Sequence, residues 1–285
     1  MAGNAATLDY AIASRLRHLV VPREHGAWGM LLVPFLTGIL VGVPGTNNAL
    51  PLALLTLLVI SLFWLRTPLE SWIGVSPLRA QPGRERRLVM RVTFALAGLA
   101  TVSLAILFRN ARYAGLLWLG FIAGGAFLLQ ALLRRLGRST RMVSQMVGAA
   151  GLTVTAPAAY CVATGRLDTA AWALWLANWF FAGNQIHFVQ LRIHAARAAT
   201  LSERISRGSL FLLGHALMMA ALVLAWRQHV LSGLALLAFL PAATRGLAWF
   251  VERPHPLAVR RLGWTELAHA LVFGLLLTLA FHFGG

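Results

Sequence analysis

The chain of 285 residues contains no lysine, few acids and a single cysteine. With Cys161 alone, no internal disulfide forms and no cysteine cluster holds zinc or an iron–sulfur centre. A lone thiol inside an apolar run reads as packing. Aspartate is nearly absent, with Asp9 and Asp168 far apart. Charged residues make up 12%, against about 25% in a soluble domain. Hydrophobic residues reach 59%, with a mean hydropathy of +0.72. That balance excludes a disordered chain, whose bias is the opposite. The opening MAGNAATLDYAIASRLRHLV lacks an apolar core and reads as a tail rather than a secretory signal.

What is present is a series of long apolar runs separated by arginine-rich links. The pattern predicts an all-α, polytopic membrane bundle of about nine transmembrane helices. The spans fall near 26–43, 50–66, 90–108, 113–132, 145–163, 170–189, 209–226, 229–245 and 265–283. Residues 1–20 are expected to form a cytoplasmic tail and 21–285 a single transmembrane domain. With the N-terminus inside, the inner face collects the tail and the links 67–89, 133–144, 190–208 and 246–264. All of the 25 basic residues except Arg109, Arg112, Arg166 and Arg227 then lie on that side. This is the positive-inside asymmetry of a multi-pass protein of a bacterial cytoplasmic (inner) membrane, with the C-terminus outside. The net charge of +17 therefore requires no nucleic-acid partner, and it favours anionic lipid headgroups. Chemistry is expected at the inner face, where the long links gather.

Polar groups within spans are costly, so each is a functional candidate. In PREHGAWG, Pro22 opens a helix and places Glu24 and His25 in its first turn, while Gly26 and Gly29 permit close approach. A helix start anchored by Trp28 is the structural alternative. In FWLRTPLESW, Arg66 and Glu70 are four apart, although Pro68 puts a continuous helix in question. The segment GNQIHFVQLRIHAAR carries Asn184, His187, Gln190, Arg192, His194 and Arg197. Of these, His187, Gln190, His194 and Arg197 repeat at helical spacing as one polar stripe. His215 and His269 sit just inside their spans. In RRLGWTELAHA, Glu266 precedes His269 by three residues and follows Arg260 and Arg261. A carboxylate, an imidazole and arginines at a helix mouth suit anion binding or proton transfer. Capping or interfacial anchoring would place the same residues there.

PREHGAWGMLLVPFLTG, NQIHFVQLRIHAAR and GWTELAHA together resemble the YwiC-like family of bacterial integral membrane proteins, over nearly the whole chain. That resemblance implies a membrane protein and brings no reaction with it. More distantly, the span count, the inside N-terminus and the inner links after spans two and six look like the UbiA prenyltransferase superfamily. Members of that superfamily bind a polyprenyl diphosphate through magnesium held by aspartate-rich motifs in those two links, and they transfer the prenyl chain to an acceptor. Here the first link offers Glu70, and the second offers Asn184, His187, Gln190 and His194, with no aspartate in either. The resemblance therefore implies the fold rather than the magnesium chemistry, for which Glu24, Glu70 and Glu266 would have to converge.

Three functions follow as expectations. The first is an enzyme acting on an isoprenoid or lipidic phosphorylated substrate in a cavity open to the cytoplasm. Glu24, His25, Glu70, His187 and Glu266 would be its catalytic candidates. Arg66, Asn184, Gln190, Arg192, His194, Arg197, Arg260 and His269 would bind substrate. The second is a haem or divalent-metal protein with a quinone-linked redox role, ligated from among His25, His187, His194 and His215, with His269 at the same depth. The third is a transporter, which the lack of a visibly broken pair of spans disfavours.

Overall fold

The computed structural model describes residues 14–22, 25–43, 45, 48–74, 78–198, 200–252 and 258–284, with the side chains of His25 and Arg138 outside the description. After a helical stretch at 14–20, the chain forms α1 (His25–Gly42), α2 (Ala49–Ile73), α3 (Arg84–Phe108), α4 (Gly115–Arg135), α5 (Arg141–Thr153) and α6 (Thr155–Thr164). It continues through α7 (Thr169–His194), α8 (Leu201–Arg227), α9 (Gly233–Leu237), α10 (Leu240–Val251) and α11 (Val259–Phe283). Among the described residues there is no strand.

Among the described residues, seven helical stretches are long and apolar enough to cross a bilayer, which marks a multi-pass membrane protein. Two of the expected spans fall outside that set. Gly26–Gly42 is apolar but short. Helix α7 has 26 residues but lacks the apolar composition, because Asn178, Asn184, Gln185, His187 and Gln190 interrupt it. The span expected at 229–245 instead runs Gly233–Val251.

The chain divides into two compact units, one of Met1–His25 with Asn47–Ala111, the other of Gly26–Thr46 with Arg112–Gly285. In the first, α2 and α3 pair, and Trp72 meets Phe94 edge-on at 5.9 Å. Pro68 does not break α2: the helix runs through it, and Gly74 closes the end in the left-handed conformation at φ 80°. Residues 14–22 are strapped onto this pair rather than hanging free. Arg15 Nε donates to Glu85 at 2.7 Å, and Trp64 Nε1 donates to the Val20 carbonyl at 2.8 Å. Glu85 also accepts the Gln81 backbone N–H at the start of α3, where a carboxylate complements the helix dipole.

The second unit packs α1 closely on α6. A Cβ on Gly38 would come within 2.9 Å of the Ala156 carbonyl carbon, and one on Gly42 within 2.5 Å of the Ala163 Cβ. The close approach expected at Gly26 and Gly29 therefore lies deeper in the helix: Gly26 faces open space, and Gly29 has ordinary contact with Leu267. Pro157 and Pro241 account for the breaks between α5 and α6 and between α9 and α10. Each proline lacks the N–H that would continue the ladder, and each sits in the first turn of the following helix, where that loss is tolerated. Helix α7 runs through the core. Trp175 and Trp179, one turn apart, donate to the Ala150 and Met146 carbonyls of α5 at 3.0 and 3.1 Å. Fully buried Asn178 donates to Thr37 Oγ1 of α1. Phe181 stacks on Phe273 of α11 at 4.0 Å, and Phe239 meets the same ring edge-on.

Candidate functional site

The C-terminal half of α7 meets α8, α10 and α11 around a buried polar cluster in the second unit. Asn184 and Phe188 lie one turn apart on α7, and Phe211 and His215 are likewise one turn apart on α8. Asn184 and His215 are 5% and 6% exposed, and their Nδ2 and Nδ1 atoms lie 2.9 Å apart. With Asn184 as donor, the His215 proton resides on Nε2. Phe211 stacks on the His215 ring at 5.5 Å. From α10, Arg245 reaches Glu266 of α11 in an ion pair whose two side chains are each 12% exposed. The Arg245 guanidinium also lies over the Phe188 ring at 4.2 Å. Gln185 Nε2 ties α7 to the Glu266 backbone carbonyl at 2.7 Å. Phe188, beneath Arg245, meets Phe211, against His215, at 6.0 Å, so the rings join the two halves of the cluster.

Within this cluster Arg245 Nε and Nη2, Glu266 Oε1 and Asn184 Oδ1 are buried with no hydrogen-bond partner. Such groups ordinarily cost about 1–3 kcal/mol each when left unmet. Two donors and two acceptors remain to be engaged in one neighbourhood, which marks the cluster as a candidate site.

The remaining sequence candidates separate around it. His187 is half-buried against Gly214 of α8, where a Cβ would come within 2.6 Å of its ring. Gln190 donates to Gln145 of α5 at 3.2 Å. Arg192 is half-buried. The polar stripe ends early: α7 stops at His194, so Arg197 lies beyond the helix and is exposed. The rings of His194 and His269 each meet a carbonyl one turn back on their own helix, Gln190 and Thr265, at 2.8 and 2.7 Å. Arg260 is exposed at the start of α11. Arg66 and Glu70 belong to the first unit, paired at 3.0 Å across Pro68. Glu24 and the His25 side chain lie outside the described residues.

The donor set does not fit magnesium, because Glu266 is engaged by Arg245 and, among the described residues, no three His, Cys, Asp or Glu side chains gather as metal ligands. The same observation separates His187, His194 and His215 from one another as a joint ligand set.

Two arginines escape the sequence reading. Arg245 looks like the inner end of a span, and only its position within ATRGLAWF, four residues before Trp249, hints at burial. Arg204, 4% exposed, donates to the Trp249, Phe250 and Glu252 carbonyls and caps the C-terminal end of α10.

Fold and cluster together define a multi-pass helical membrane protein with an ionic site buried among its helices. Residues 21–160 match the family described as YwiC-like protein, a stretch that runs from α1 into α6 and stops before the cluster. The chain is also similar to the "Uncharacterized protein YwiC" of Bacillus subtilis (strain 168), at 24% identity over 265 residues, covering 89% of this chain and 95% of that protein. No solved structure matches.

Proposed function

We propose that this is a YwiC-like membrane enzyme with a UbiA-like helical body that takes the head of an isoprenoid or other lipidic phosphorylated substrate into the α7–α8–α10–α11 cluster. The observation that carries the reading is the buried Arg245–Glu266 pair with hydrogen-bonding capacity left over on both partners. Arg245 Nε–H and Nη2–H form a fork that matches two phosphate oxygens. Glu266 orients the guanidinium, and its Oε1 is placed to accept a proton. Asn184 Oδ1 suits a hydroxyl on the acceptor, and His215 fixes the amide that carries it.

The test is binding and turnover of defined prenyl diphosphates by the full chain in mild detergent. Arg245→Lys keeps the charge but loses the fork, and is expected to weaken binding by roughly tenfold or more. Absence of both binding and turnover across chain lengths would sink the proposal.

A transporter is the second reading, favoured by the interrupted stretches Arg141–Thr164 and Gly233–Val251. Substrate-dependent flux across proteoliposomes without chemical conversion distinguishes it.

A further inference from the structure

The first unit carries a second site, independent of the cluster above. Over the first three turns of α3, Arg87, Met90, Arg91 and Phe94 line an open groove of about 440 Å³. Their spacing of three, four and seven places all four on one helical face. Arg87 and Arg91 are about one turn apart, about 6 Å along the axis, so both guanidiniums can reach one phosphate. Among the described residues neither meets a carboxylate. Glu85, the acid nearest in sequence, is held by Arg15 and by the Gln81 N–H. Beside the arginines the groove is apolar: Met90 is half-buried, and Phe94 is 60% exposed with its ring against Trp72. The two pairs run side by side near the polar end of a helix of spanning length, each apolar residue three positions further in than the arginine beside it.

We infer that this groove binds one anionic phospholipid, with its phosphate bridged by Arg87 and Arg91 and an acyl chain laid along Met90 and Phe94. The charge is matched only by an anionic headgroup, since a zwitterionic one brings its own cation against the arginines. An arginine row with an apolar row beside it, offset three residues into a spanning helix, matches the order of head and tail in a leaflet.

The full chain in mild detergent is titrated with phosphatidylglycerol or phosphatidylcholine, and bound lipid is counted by native mass spectrometry. The wild type is expected to retain one phosphatidylglycerol in preference to phosphatidylcholine. Arg87→Gln with Arg91→Gln is expected to weaken that binding about thirtyfold, the combined effect of two basic residues at a lipid surface. Arg87→Lys with Arg91→Lys keeps both charges and is expected to retain most of it. Both arginines are exposed, so the variants should fold, and an unchanged melting temperature checks this. Equal retention of the two lipids, unchanged binding in the glutamine variant, or equal loss in the lysine variant would overturn the inference.

Discussion

Arg245 brings a full charge among buried rings, and its cost is offset only while Glu266 and Phe188 remain in place. Removing one partner strands the other, so Arg245→Ala or Glu266→Ala is expected to lower stability by roughly 3–5 kcal/mol in detergent unfolding. Replacing both by apolar residues of similar volume should restore much of that loss, whereas substrate binding should not return. A double variant as unstable as either single one would show that the pair is not the source. At this scale the sequence was partly legible. Asn184, His215 and Glu266 stood out because polar groups in apolar helices are conspicuous. Arg245 did not, because an arginine near a helix end looks the same whether it reaches outward or turns inward. Arg197 and Arg260 looked equivalent to it and are exposed.

The helix ends and breaks follow local chemistry. Thr200 and Glu203 form a reciprocal capping box at the start of α8, so Thr200→Ala is expected to cost about 1 kcal/mol. Arg204, one residue on, holds the carbonyls that end α10. Arg204→Ala should free that end and raise hydrogen exchange in residues 246–252, and unchanged exchange would contradict the role. Gly38 lies against the Ala156 backbone, which cannot yield as a side-chain tip can. Gly38→Leu is therefore expected to separate α1 from α6 and lower the melting temperature strongly, whereas Gly26→Leu, facing open space, should be near neutral. A proline alone does not decide a break: Pro68 stays inside α2, while Pro157 and Pro241 interrupt their stretches. A single sequence does not show which of the two a given proline does. Hydrophobic run length found the apolar helices, but α7 fell short on composition because it carries the polar residues of the site.

For the whole molecule, charge asymmetry is the strongest signal, because lipid tolerates arginine at only a few depths. It predicts the links 67–89, 133–144, 190–208 and 246–264 on the cytoplasmic face. Single cysteines introduced into a Cys161→Ser background are expected to react with membrane-impermeant thiol reagents only from that side. The measurement that bears most directly on the central claim is native mass spectrometry of the wild type and Arg245→Gln, purified from the same membranes and checked for equal folding. The account predicts a phosphorylated isoprenoid or lipid retained by the wild type and lost in Arg245→Gln, with the phosphatidylglycerol attributed to Arg87 and Arg91 kept in both. A phosphorylated lipid carried equally by both proteins, or by neither, would contradict the assignment of the α7–α8–α10–α11 cluster as its binding site.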